Sequence, residues 1–172
     1  MLFRSAREMS SLLNACGRSG HPSLGIAALL GDKSALQDAM AENKLYRKDI
    51  YKAMQWAKEH IRNYSNIKVV YGGDVIDEKM IGTIASMLIH SELQIDQPLI
   101  AYAESDNSTF KVSARANPSI IEKGVDLSVV MRSVCQELGI SNPAGGPPPA
   151  AGAKLPTNLL KGIIEKNDLA VD

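Results

Sequence analysis

From Asp32 to Tyr64 the chain contains neither glycine nor proline. Those two residues are the usual punctuation of secondary structure, glycine through its conformational freedom and proline through its fixed φ and missing donor. Along the same stretch Leu36, Met40, Ile50, Met54, Ala57 and Ile61 recur at helical steps that keep them to one face. The spacing predicts one long helix, on the order of 45 Å at about 1.5 Å per residue, which is more than a domain of this size needs for its own core. Such a helix reads as a connector or as an arm for self-association. Two shorter helices joined near Asn43 are the alternative.

Upstream, Leu2 to Leu30 reads as a broken helical region, with Gly17, Gly20 and Pro22 marking the break between SAREMSSLLNACG and LGIAALL. Downstream, strand and helix alternate. IKVVYGGDVI is β-branched with a glycine break, and DEKMIGTIASMLIHSEL is helical. PLIAYAE and TFKVSAR form a hairpin across Ser105, Asp106, Asn107 and Ser108. A further amphipathic helix from Asp126 to Leu138 carries Leu127, Val130, Met131, Val134 and Leu138 on one face and stops at Gly139. The stretch NPAGGPPPAAGAKLP follows, in which three prolines behind two glycines permit neither helix nor central strand. TNLLKGIIEKN closes the chain as a short helix. The fold class is α/β, a mixed sheet flanked by helices and preceded by a helical arm.

At 172 residues, 45% hydrophobic and 22% charged, the chain can bury a core, which excludes a disordered or collagen-like protein. Lys+Arg and Asp+Glu both count 19, so a polyanion binder acting through overall charge is excluded. Residues 1–65 carry 10 Lys/Arg against 6 Asp/Glu and residues 66–172 carry 9 against 13, so any nucleic-acid contact in the second part must be local. Cys16 and Cys135 stand far apart outside any Cys-x-x-Cys pattern and read as buried apolar residues in a reducing cytosol. No apolar run approaches the roughly 20 residues that span a bilayer, and MLFRSARE is too charged for a signal core, so a cytoplasmic protein with no membrane partner is expected.

LLNACGRSGHP, the long helix, IGTIASMLI, FKVSAR and GGPPPAAGA fall in the order and approximate spacing of RecJ-like proteins of the DHH phosphoesterase superfamily. The resemblance covers nearly the whole chain. LLNACGR resembles the element near the end of the catalytic DHH domain, the long helix resembles the linker that follows, and the rest resembles the DHH-associated domain with its G-G-G-H-x-x-A-A-G-A loop. The implied organisation is a helical arm and connector helix over 1–65, the remnant of the catalytic domain's edge, and an α/β DHH-associated domain over 66–172.

Two departures shape the functional expectation. The superfamily's catalysis needs Asp and His clusters holding a pair of Mn²⁺ or Mg²⁺ ions, whereas this chain has no Asp-His-His and its histidines, His21, His60 and His90, are solitary. No catalytic residue, metal or cofactor is therefore expected, and no enzymatic activity. Where the family loop has a third glycine followed by histidine, Gly146 is followed by Pro147, so the loop shape is expected to persist without the chemistry. A RecJ-like chain with the associated domain alone resembles the RecJ-homologous archaeal proteins that accompany GINS, counterparts of the RecJ-related subunit of the CMG helicase. The resemblance implies a non-catalytic DNA-replication protein that binds GINS and reaches the MCM helicase through it, with single-stranded DNA as a further candidate partner. The alternative is the C-terminal nucleic-acid-binding part of a RecJ-like single-strand exonuclease; the initiator Met1 and the lost histidine favour the first. A self-associating helical scaffold is a third reading.

In the family the Ser-Ala-Arg element and the glycine-rich loop lie near nucleic acid, which implies Ser113, Arg115, Gly145 and Gly146 as binding residues. Arginine grips phosphate bidentately, and exposed glycine amides form an anion-binding concavity. Lys111 shares the strand face of Ser113 and Arg115 by the period of two and is added to the set. The alternative is that Arg115 pairs internally, the glycines only turn the chain and Lys111 is a solvated edge. Asn14, Gly17 and Arg18 match the element beside the absent catalytic domain and are expected to be structural, with Arg18 serving a helix end. Tyr71, Tyr102 and Phe110 are the second part's aromatics, and Tyr46, Tyr51 and Trp56, five apart on a helix, face different ways.

Overall fold

The computed structural model describes residues 5–158 apart from 94, 107 and 141–143. The chain divides into two compact units, Met1–Lys52 and Ala53–Asp172. In the first, α1 (Ala6–Arg18) begins where the Ser5 hydroxyl accepts from the Glu8 amide, and α2 (Pro22–Leu29) opens on proline, whose missing donor is no loss at a helix start. Gly20, at φ +87°, makes the turn between them. The long helix is α3 (Lys33–Glu59), started by Asp32, whose carboxylate accepts from the Ser34 and Ala35 amides at 2.9 and 3.0 Å. It is continuous through Asn43 and runs about 40 Å.

Two expectations for this helix are corrected. It ends at Glu59 rather than Tyr64, because Arg62 and Asn63 leave the helix to pair with Val69 and Lys68. Met40 is 56% exposed, since the buried face of this turn runs through Ala35 and Ala39. The first unit's core is Leu12, Cys16, Ala28, Ala35 and Ala39, with Leu24, Ala27 and Leu36 packed against it.

The second unit is a mixed five-stranded sheet in the order β1 (Arg62–Asn63), β2 (Lys68–Tyr71), β3 (Leu99–Asp106), β4 (Thr109–Arg115), β5 (Ala150–Pro156). Only β2 and β3 run parallel, joined through α4 (Glu78–Ile89); the other neighbours are antiparallel. The β3–β4 hairpin turns at Asp106, whose carboxylate accepts from the Ser108 amide and the hydroxyls of Ser108 and Thr109, all within 2.9 Å. These bonds hold the Asp106 carboxyl down to about 2 from an ordinary 3.8. Two short helices follow, α5 (Pro118–Glu122) and α6 (Leu127–Glu137), begun by the Asn117 and Asp126 side chains.

One sheet face is lined by small residues, Ala101, Ala103, Ser113 and Gly152, and α4 lies on it. The other gathers Tyr71, Tyr102 and Phe110, with Tyr71 stacked on Tyr102 at 4.8 Å and Phe110 edge-on to both. The core holds Val70, Ile76, Ile81, Ile84, Leu88, Leu99, Phe110 and Ile120. The buried face of α6 differs from the expected one: Leu127, Ser128, Met131 and Cys135 are buried, while Val130 is 49% exposed. The segment AAGAKLP is a strand, allowed because β5 is an edge and its proline ends it. Cys16 and Cys135 are free and buried. The closing helix expected over TNLLKGIIEKN lies, beyond Asn158, outside the described residues.

Candidate nucleic-acid interface

Arg115 ends β4 on the face beneath α4. Its Nε donates to the Ser86 hydroxyl at 2.8 Å, one terminal nitrogen donates to the Ala114 and Ala151 carbonyls at 2.8 and 3.4 Å, and the other to the Gly82 carbonyl at 3.3 Å. The guanidinium thus ties α4, β4 and β5 together. Two of these bonds sit at the long limit of hydrogen-bond geometry and can be exchanged for a stronger acceptor.

The approach is tight at Gly82. A Cβ there would stand 3.2 Å from both Arg115 Nη2 and Ser113 Oγ, a close contact that these two side chains would have to give way by a few tenths of an ångström to admit. Glycine inside a helix costs about 0.5–1 kcal/mol relative to alanine, which was the available signal in IGTIASMLI that this position serves packing. One and two turns on, Ser86 and His90 continue the ridge, with His90 Nδ1 donating to the Ser86 carbonyl at 2.9 Å.

Arg115 borders a cleft of about 540 Å³ lined also by Ser86, His90, Ala116, Pro118, Ile121, Glu122, Pro149 and Ala150. The volume and the few polar groups set in apolar walls suit a small ligand or one unit of a polymer. The proline loop forms one wall. Prolines cannot donate, but their carbonyls accept: Pro148 from the Leu127 amide at 2.9 Å, Pro149 from Ala116 at 3.0 Å and Pro147 from Ala150 at 3.0 Å. The loop is fixed to the start of α6 and the end of β4, which positions Pro149 beside Arg115. Sequence reasoning missed Gly82, Ser86, His90, Glu122 and Pro149 as part of this site, because no local pattern links them.

The other expected site residues are placed differently. Ser113 is 4% exposed beneath Gly82 and is closed to a polymer in this arrangement. Gly145 exchanges both backbone bonds with Gly152, at 3.0 and 2.9 Å, so its amide completes the sheet edge rather than an anion cradle. Gly146, at φ +134°, must be glycine, since a Cβ would collide with the Ala150 carbonyl oxygen. Lys111 lies four residues before Arg115, about 13 Å along the strand, and is not gathered with it. It sits in register opposite Lys154, which donates to Ser105 Oγ at 2.7 Å and approaches Glu78 at 3.7 Å, while Ser105 in turn hydrogen-bonds Glu78. Arg18 lies in the last turn of α1, where a cation meets the negative helix end. Among the described residues no group of three His, Cys, Asp or Glu could hold a metal ion, and no helix is long and apolar enough to cross a membrane.

A mixed sheet, a helix laid on its small-residue face and a glycine-proline loop at its edge define the architecture of the domain that accompanies DHH catalytic domains. Residues 65–171 match the DHHA1 domain, and the chain belongs to that family. A curated relative, an uncharacterized protein of Methanocaldococcus jannaschii, is 30% identical over 165 residues, which is 96% of this chain and 35% of the relative. Among solved structures, RecJ from Thermus thermophilus in complex with Mn²⁺ superposes with a TM-score of 0.66 at 14% identity, over 96% of this chain and 24% of RecJ. A pGpG-specific phosphodiesterase from Vibrio superposes at 0.51 and 14% identity, over 92% of this chain and 57% of that one. These likenesses show a shared fold. The chain spans about a third of its curated relative's length and about a quarter of RecJ's.

Proposed function

We propose that the chain is a non-catalytic, RecJ-like DNA-replication protein that binds GINS, supports the MCM helicase through it, and contacts single-stranded DNA at the Arg115 cleft. The observation that carries the DNA contact is a half-buried guanidinium at the rim of an apolar-walled cleft, with two of its internal bonds long enough to yield to a phosphate. The GINS partnership rests on the resemblance of LLNACGR, the long helix, FKVSAR and GGPPPAAGA to the RecJ-homologous archaeal proteins that accompany GINS. Of the five residues expected to bind nucleic acid, Arg115 carries this reading, Gly146 shapes the loop, Lys111 offers a separate charge, and Ser113 and Gly145 act as scaffold.

If Arg115 meets a phosphate, Arg115→Ala weakens single-strand binding by about 1–3 kcal/mol without changing sequence preference. The slope of log affinity against log salt falls by roughly 0.7. Salt-titrated anisotropy and thermal melting of the two proteins check this. Lower stability with an unchanged salt slope would leave Arg115 as a tie between α4 and the sheet.

The second reading, the C-terminal part of a RecJ-like exonuclease, is favoured by the chain's covering only 35% of its curated relative. It predicts no GINS complex, and nuclease activity once the metal domain is supplied.

A further inference from the structure

The solvent face of α3 carries cations that the Arg115 cleft does not use. At about 100° per residue, Lys44, Arg47, Lys48, Tyr51 and Lys52 fall within an arc of about 140°, and all five are exposed. Ala39, Ile50 and Ala53 occupy the opposite, buried side. The carboxylates of this stretch stand outside the arc: Asp38 and Asp49 lie on its flank, and Glu42 is directed to His21 Nδ1 at 3.8 Å. Among the described residues none of the four cations has an ion-pair partner. Lys44, Lys48 and Lys52 follow one another at i, i+4 and i+8, a spacing at which like charges destabilise a helix and which an anionic ligand would relieve.

Three features select the ligand. The lysines advance in steps of about 6 Å, comparable to the separation of consecutive phosphates along a strand. Tyr51, 65% exposed in their midst, presents an aromatic ring on which one base can stack. A membrane-surface helix needs a broad apolar face turned to lipid, but Ala39, Ile50, Ala53, Met54 and Ala57 of α3 are buried in protein, and Met40 and Leu45, exposed beside the cations, do not make such a face.

We infer that the solvent face of α3, through Lys44, Arg47, Lys48 and Lys52 around Tyr51, binds the backbone and one base of a single-stranded nucleic acid, independently of the Arg115 cleft. Glutamine at the four positions removes the charge and keeps helix propensity. In the full chain, the quadruple glutamine variant should lower affinity for an oligothymidylate by about 100-fold at 0.1 M salt and reduce the salt slope by about two units, as loss of roughly three phosphate contacts requires. Its melting temperature should not fall, and arginine at the same four positions should retain binding. Tyr51→Leu should weaken oligothymidylate binding by about five- to a hundredfold and leave duplex binding unchanged. An unchanged salt slope in the glutamine variant would overturn the inference, as would a wild-type chain that does not bind the oligonucleotide. Loss of binding to phosphatidylserine vesicles with oligothymidylate binding intact would assign the face to a membrane and overturn it equally.

Discussion

Residues Met1–Lys52 bury mostly short side chains, Leu12, Cys16, Ala28, Ala35 and Ala39, between three helices, whereas Ala53–Asp172 buries Phe110, Leu88, Leu99, Ile76, Ile81, Ile84 and Ile120 around a sheet. The first unit carries 8 Lys/Arg against 5 Asp/Glu, the second 11 against 14. The unit with the thin core is therefore the basic one, and the unit with the deep core is acidic. Alanine and cysteine contribute little apolar area each, so a helical unit built on them has a small margin of stability and keeps much of its surface for solvent and charge. The sheet unit can hold a half-buried arginine between α4, β4 and β5 because its core fixes those elements.

Truncating one core residue in each unit is the sharpest way to break that contrast. Phe110→Ala removes the ring that packs edge-on to Tyr71 and Tyr102 and should cost about 3–5 kcal/mol, while Leu12→Ala should cost about 2 kcal/mol. Hydrogen exchange should localise each loss: Leu12→Ala should speed exchange in α1 and α2 and spare β3 and β4. Equal acceleration in both units would show that they open together.

A smaller effect is expected at the hairpin turn. The Asp106 carboxyl titrates at about 2 in the folded chain against an ordinary 3.8. A depressed folded value means the ionised form favours folding, so this contribution is present above about pH 4 and is lost as the pH falls toward 2. Denaturation midpoints of the protein and of Asp106→Asn should differ at pH 5 and converge near pH 2. A difference independent of pH would remove the carboxylate from the account.

The same contrast governs what could be read from the sequence. The α3 helix, the break at Gly20 and Pro22, and the β3–β4 hairpin are specified by residues close in the chain, and periodicity and turn chemistry suffice for them. Strand β5 was not legible, because Ala150, Ala151, Gly152 and Ala153 have low strand preference and become a strand through pairing with β4, some forty residues earlier. Val130 misplaced part of the buried face of α6, since apolar residues stand on both sides of that helix and only packing selects Ser128 and Cys135 beside Leu127 and Met131. Resemblance singled out Arg115 as a candidate, but not the residues that surround it. Gly82, Ser86, His90 and Pro149 reach it from two other elements, and the glycine's role in admitting the guanidinium exists only in three dimensions.

The proposed partnership with GINS reaches furthest beyond the fold. Purified protein mixed at micromolar concentration with the GINS complex of the same organism and run through size-exclusion chromatography tests it directly. Co-migration as a stable complex at physiological salt is the predicted result, and separate elution at both low and physiological salt would contradict it.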